Sequence, residues 1–402
     1  MATQRLWTPY NPGHVIDPYK MYKRLREEDP VHLSQTNEWV ITRYTDVKFV
    51  LKSQEFRSGN RLDWLSKGVQ YFKNQDEDFQ HISSAINSFL LFLNPPDHTK
   101  IRSFVTKTWN DHNVEAMIAD NVNQLLSKLN PKGFDLVKEF AQPFPVLVIS
   151  EIMGIPKEDY LQLKSVAVNM QRSLDLYHTY KELVELNKTS KIFVEYFKKL
   201  IRLKSERPDN SLISKLILSN VSHNYNLEEK HLISICIFLF TASEETTANT
   251  TGTGLYNLIC NPEKYAYLYT YPEHIPSAVE ELLRFDSPVQ LLGRIAKTTI
   301  PLGDKVIPEG AALTLVLGSA NRDPLQFNSP DELDLLRSPN HHVALSSGIH
   351  YCLGDWLGRI QAKIALQLFM DKFPSLKLDD QKLSWNKNLA VRGLQSLLVS
   401  AA

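Results

Sequence analysis

The stretch Leu345-Ser-Ser-Gly-Ile-His-Tyr-Cys-Leu-Gly354 decides how this chain is read. Small residues precede Cys352, and an amphipathic helical pattern follows it from Leu353 to about Phe373. A thiol at a helix N-terminus meets the positive end of the helix dipole and free backbone N–H groups, both of which favour the thiolate. Three uses fit such a sulfur: a ligand to iron, a catalytic nucleophile, or a buried structural thiol. The other cysteines, Cys236 and Cys260, have no metal-ligand spacing and read as small apolar packing residues. Three cysteines in 402 residues cannot make a disulfide framework, which points to a reducing compartment. The first residues carry no apolar leader and no stretch long enough for a bilayer, so the expectation is a cytoplasmic protein without a membrane anchor.

Upstream of that loop, residues 226–261 are the most unusual segment. Asn226 and Glu229 have the N-cap-to-N3 spacing of a capping box, and Pro262 supplies a stop. The spacing predicts a helix of roughly 35 residues, about 50 Å long. Residues 233–240 are nearly all apolar, as in a helix buried on every side. Thr241-Ala-Ser-Glu-Glu-Thr-Thr247 then sets two acids and three threonines at its centre, which is costly unless something uses them. A Thr hydroxyl can bond the carbonyl four residues back and open a polar notch there.

The helical period dominates from about Asp97 to Asn261. Within it, Ile192, Phe193, Tyr196, Phe197, Leu200 and Ile201 make one apolar stripe. Residues 39–44 alternate like a short strand, with Thr45 placed to cap a helix running to Lys52. Residues 300–306 and 312–317 read as strands, and residues 376–399 as paired strands. No linker, repeat or low-complexity tract interrupts the chain. The expectation is one large domain over residues 1–402, mainly α with small β-sheets. Forty-five Lys+Arg balance 45 Asp+Glu, which removes the bulk attraction to nucleic acid.

The Cys352 loop resembles the haem-binding loop of the cytochrome P450 family, F-x-x-G-x-x-x-C-x-G. Gly348, His350, Cys352 and Gly354 are kept, while Leu345 stands for the usual Phe and Ser346 for a frequent Gly. Three further matches occur in the family's order. Glu281-Leu-Leu-Arg284 resembles its E-x-x-R, and Ala242-Ser-Glu-Glu-Thr-Thr247 resembles the [AG]-G-x-[DE]-T of its oxygen-activating helix, with Ser243 for Gly. Asn94-Pro-Pro-Asp-His98 with Arg102 looks like the start of another family helix, and Ala320-Asn-Arg-Asp-Pro324 with Arg337 completes the run. The resemblance extends from Asn11-Pro12 to Arg392-Gly393.

The resemblance implies the cytochrome P450 fold, a single domain with haem b between the long central helix and the helix after the Cys loop. Cys352 would be the axial ligand of the haem iron. His98, Arg102, Arg294 and His350 match propionate-binding positions, and Ala242, Gly348 and Gly354 would lie against the macrocycle, the glycines allowing close backbone approach. Glu281, Arg284 and Arg337 resemble a buried, structural ion-pair triad. Glu245 and Thr246 would be the catalytic acid–alcohol pair, Thr246 holding an ordered water and Glu245 relaying protons from solvent. Glu244 reads as a solvated or separately paired neighbour.

The sequence carries no G-x-G-x-x-G after a strand and no P-loop. The resemblance therefore implies electrons from a ferredoxin and its ferredoxin reductase. Lys100, Arg102, Lys107, Arg359 and Lys363 would contribute to a basic docking face. The implied activity is a monooxygenase, acting as a monomer, that hydroxylates a small organic substrate or removes an O-alkyl group through hydroxylation. Two alternatives stand beside it. One is a family member with peroxide-driven, non-hydroxylating or purely ligand-binding haem chemistry, against which the intact Glu245–Thr246 pair argues. The other is a cysteine hydrolase using Cys352 and His350, whose two-residue separation on a loop is poor for a base–nucleophile pair. The implied substrate pocket draws on residues 61–92 and 170–180, Phe238, Thr241, Ala242, residues 289–292 and Leu394. Its mixture does not separate a terpenoid from a fatty acid, a macrolide or a methylated sugar.

Overall fold

The computed structural model describes residues 6–8, 13–59, 79–109, 114–171, 179–223 and 225–401. Asn11-Pro12 and the pocket positions 61–78 and 172–178 lie outside the described residues. Two compact units interleave along the chain, one made of Met1–Arg57, Glu115–Phe144 and Thr246–Ala402, the other of Ser58–Val114 and Pro145–Glu245.

The first unit carries the sheets. Trp39–Ile41 runs parallel to Ala312–Val316, with Trp39 opposite Leu313 and Ile41 opposite Leu315. Val31–Leu33 flanks the first of these, and Leu291–Ala296 then Phe56–Arg57 extend the sheet beyond the second. Ile300–Leu302 and Lys305–Ile307 form a separate hairpin, turning at Gly303 with φ +58°. Residues 376–399 pair as expected but in two different sheets. Ser384–Trp385 pairs with Leu394–Ser396, while Leu398–Ala401 lies between Leu376–Leu378 and a two-residue strand, Phe134–Asp135. That last strand sits in a stretch the helical period dominates, and two residues are too few to show alternation.

The helix Tyr44–Lys52 begins one residue before Thr45, so Thr45 is inside it and cannot cap it. The Tyr44 N–H is instead capped by Asp323 Oδ2 at 2.8 Å, from a loop 279 residues away. At the other side of this unit Phe140 meets Phe369 and Phe134 meets Phe373, with ring centroids 5.0 and 5.1 Å apart, seating the helix Asp355–Lys372.

In the second unit the helix Tyr180–Glu206 starts with a capping box between Thr179 and Glu182. Phe193 and Phe197 are fully buried and both meet Phe240, whereas Ile192 is 44% exposed and falls off the stripe. Asn187 Oδ1 accepts the N–H groups of His81 and Ile82 at 3.1 Å, which ties this helix to Gln80–Ile86.

The long helix spans Glu229–Ile259, 31 residues, and starts later than the capping box predicts. Asn226 has φ +52°, in the left-handed region rather than the extended one that an N-cap side chain needs to reach the N2 or N3 amide. Its neighbour Leu227 is held by the Asn220 side chain, which accepts the Leu227 N–H and donates to its carbonyl, each at 2.9 Å. Cys236 is buried as expected, and burial pushes its thiol up to about 12. Cys260 is exposed at the end of the helix and paired with Tyr256, so it is not a packing residue.

Asp135 joins three of these pieces. Its carboxylate accepts the Val137 and Lys138 N–H groups, capping the short π-helix Leu136–Ala141, and also the Leu397 N–H and the Ser396 hydroxyl. Burial pushes its carboxyl up, but the hydrogen bonds from Ser396, Leu397 and Lys138 outweigh that and hold it below the usual range. A depressed carboxylate stabilises the fold above its unfolded value and loses that contribution as pH falls through the folded one. Asp135→Asn should therefore cost about 1–2 kcal/mol at neutral pH, with the deficit shrinking below about pH 4. Urea unfolding of both proteins across that pH range measures it; a deficit independent of pH would contradict the account.

Candidate functional site

The loop before Cys352 is fixed by backbone constraints. Ser346 has φ +64° and Gly348 φ +70°, both in the left-handed region that glycine favours. A Cβ at Gly348 would lie 2.5 Å from the Leu51 carbonyl oxygen, so the steric demand for glycine there comes from the backbone of the helix Tyr44–Lys52. The positive φ at Ser346 gives a physical reason for a Gly at that position. A single 3-10 turn, Gly348–His350, follows, and the Cys352 N–H donates to the Leu345 carbonyl at 3.0 Å. Cys352 is half-buried two residues before Gly354, the N-cap of Asp355–Lys372. Gly354 has ordinary φ of −96° and open space where a Cβ would be.

The triad residues are together. Arg284 grips Glu281 with two bonds, Nε to Oε2 and Nη2 to Oε1, each 2.7 Å, and neither side chain is exposed. Arg337 Nε donates to the same carboxylate at 3.1 Å. The Asp334 N–H and the Asn340 amide add donors at 2.9 and 3.2 Å.

The preceding residue makes a second set of contacts, which the sequence reading missed. Glu280 accepts Arg359 Nε at 2.6 Å and Nη2 at 3.0 Å, and lies 3.1 Å from His342 Nε2. Burial pushes the Glu280 carboxyl up, but hydrogen bonds from His342 and Arg359 bring it down to about 2. Arg359 also donates to Asp355 Oδ2 at 2.6 Å. Two carboxylates thus engage the Arg359 guanidinium, one of the residues the sequence reading assigned to a basic docking face. The Glu280-Glu281 doublet was the available signal.

The other predicted residues divide between the units. Arg294, Thr246, Gly348, His350, Cys352 and Gly354 belong to the first; His98, Arg102, Ala242 and Glu245 belong to the second. His98 is buried and Arg102 half-buried, one turn apart on the helix Asp97–Thr108. Glu245 and Thr246 are half-buried, but Glu244 is only 3% exposed and is therefore not solvated. A bond to the carbonyl four residues back comes not from the stretch 241–247 but from Thr250, whose hydroxyl donates to the Thr246 carbonyl at 2.7 Å. Among the described residues no helix is long and apolar enough to cross a membrane.

A family model described as Cytochrome P450 matches residues 30–270 and 274–396. The "Biotin biosynthesis cytochrome P450" of Bacillus subtilis (strain 168) is 32% identical over 391 residues, covering 96% of each chain. The "Polyketide biosynthesis cytochrome P450 PksS" of the same organism is 34% identical over 411 residues, covering 98% of each. The solved structure of P450BioI in complex with hexadec-9Z-enoic acid ligated acyl carrier protein superposes with a TM-score of 0.89 at 31% identity, covering 97% of this chain and 100% of that one. Helices with small sheets, arranged in this way, are the fold of a class of haem-dependent oxidoreductases. The chain belongs to the cytochrome P450 family, whose members bind haem b and act as monooxygenases.

The residues present fit that group. Arg294 is 4% exposed; its Nη1 donates to the Gly293 carbonyl at 2.7 Å, and its Nη2 has no hydrogen-bond partner among the described residues. Burial pushes its guanidinium down to about 10. A buried guanidinium with a spare donor suits an anionic ligand group such as a propionate.

Glu281→Ala would leave Arg284 and Arg337 buried beside an empty acceptor, at a cost of roughly 3–5 kcal/mol. Little soluble, haem-loaded protein should be recovered, as measured by yield and by the ratio of haem to protein absorbance. Normal yield and loading would show that the carboxylate is dispensable.

Proposed function

We propose that the chain is a haem-thiolate monooxygenase in which Cys352 ligates the iron, with residues 1–402 acting as one catalytic domain. It hydroxylates a C–H bond of a small organic substrate, taking two electrons from a ferredoxin served by a ferredoxin reductase. Dioxygen, two protons and two electrons are consumed; one oxygen atom enters the C–H bond and the other leaves as water. Where the attacked carbon carries an ether oxygen, the hemiacetal product collapses and the net reaction is O-dealkylation. The observation that carries this reading is the half-buried Cys352 just before a helix, on a loop locked against Leu51 at Gly348.

The haem, when bound, supplies the activation of dioxygen. His98, Arg102, Arg294 and His350 would hold its propionates, and the spare donor of Arg294 supports that assignment. Ala242, Gly348 and Gly354 would flank the macrocycle. Thr246, whose carbonyl accepts the Thr250 hydroxyl, would hold the water that donates protons. Glu245 moves protons from solvent to that water. For the substrate, a screen starts with fatty acids, free and carrier-bound, because the related P450BioI structure contains an acyl carrier protein bearing hexadec-9Z-enoic acid.

With carbon monoxide the reduced protein should absorb at the long-wavelength position of thiolate-ligated haem, and Cys352→Ser should lose that band. An unchanged Ser variant would mean another ligand. Thr246→Ala should still bind substrate and consume electrons, while product per electron falls steeply and hydrogen peroxide rises to match. Glu245→Gln should instead slow total turnover. Product, peroxide and reductant are measured in one assay; unchanged coupling in the Thr246 variant would assign proton delivery elsewhere.

A further inference from the structure

We propose that Glu280, His342 and Arg359 form a positioning clamp that fixes Cys352 through the residues on either side of it. The proposal rests on Cys352 being the haem ligand. Arg359 Nη1 donates to the Tyr351 hydroxyl at 3.3 Å and to Asp355 Oδ2 at 2.6 Å, and the Tyr351 hydroxyl donates to Asp355 Oδ2 at 3.1 Å. Tyr351 immediately precedes Cys352, and Asp355 opens the helix that follows it. One guanidinium therefore holds both flanks of the thiol.

The other edge of that guanidinium is taken by Glu280 on the helix Ile275–Phe285, through a two-point fork at 2.6 and 3.0 Å. Glu280 also engages His342 Nε2 at 3.1 Å, and His342 Nδ1 accepts the Ala344 N–H at 3.3 Å. With Nδ1 accepting, the ring proton sits on Nε2 and points at the carboxylate. His342 and Ala344 lie on the approach to the Cys loop. The approach, the residue before the cysteine and the first turn after it are thus referred to one carboxylate. A ligand must be held to about 0.5 Å and 10–20° to work, and outer partners of this kind set that orientation.

The geometry separates this role from docking. Arg359 faces two carboxylates, so it offers little net charge to a partner, whereas its planar fork is fully used. Arg359→Lys keeps the charge and cannot reproduce the fork.

The test compares wild type, Glu280→Gln, Arg359→Gln, Arg359→Lys and the Glu280→Gln/Arg359→Gln double variant, all as haem-loaded protein. The readouts are the reduced carbon monoxide spectrum, the rate of haem release to an acceptor protein, ferredoxin affinity, and the melting temperature of the haem-loaded protein. Each single variant, Arg359→Lys included, should lose part of the thiolate band and release haem roughly 10-fold faster. The double variant should be no worse than either single one, because both break the same clamp. Weaker ferredoxin binding with unchanged spectrum and haem release, spared by Arg359→Lys, would make Arg359 a docking residue and overturn the proposal. A lower melting temperature with both haem readouts unchanged would make the cluster merely structural and also overturn it. If wild type itself lacks the thiolate band, the ligand assignment fails first and the clamp falls with it.

Discussion

A carboxylate with no solvent exposure, that of Glu281, holds two guanidinium groups and the loop they organise. Desolvating such charges costs several kcal/mol per ion, and attraction repays it only where every donor finds an acceptor. Here the spare donors collect backbone carbonyls. Arg284 donates to those of Asn321, Pro330 and Glu332, and Arg337 to those of Asn328 and Ser329. Most of that loop has no regular structure of its own. The ion pairs supply partners that a helix or sheet would otherwise give its backbone. The loop's path toward Cys352 follows from where two arginines need acceptors.

Glu280 and Glu281 show how one helix turn serves two tasks. Consecutive residues on an α-helix point about 100° apart. Glu281 therefore faces a fully buried cage, while Glu280 reaches a half-exposed neighbour. The buried carboxylate shapes the approach to the Cys loop, and the outer one addresses the residues beside the sulfur.

Local patterns were the legible part of this chain. The helix Asp355–Lys372 was read from its own periodicity, whereas the turn at Gly303 and the capping box at Thr179, though each specified within a few residues, were not read. The Cys loop was legible for the same reason, because glycine conformation and thiol chemistry leave traces at fixed spacings. Non-local devices left none. The parallel pairing of Trp39 with Leu313, the Asp323 cap on Tyr44 and the Asn220 hook on Leu227 are single polar or register choices with no periodic signature. The hook also displaced a helix start that the Asn226–Glu229 spacing had suggested, because Asn tolerates the left-handed region as readily as it caps. His342 and Arg359 lie 62 and 79 residues from Glu280, beyond any motif.

Asp135 carries a consequence for the order in which the molecule can be made. Its hydroxyl partner, Ser396, lies 261 residues further along the chain. At the synthesis rate of about 5–20 residues per second, roughly 13–52 s separate the two residues leaving the peptidyl-transferase centre. Until then the strand Phe134–Asp135 has no partner at Leu398–Ala401, and Asp135 has only local partners, the amides of its own π-helix and the Lys138 ammonium. The strand at Phe134–Asp135 therefore waits for its distant complement. A ribosome stalled anywhere before Ser396 holds a nascent chain whose early segment cannot close.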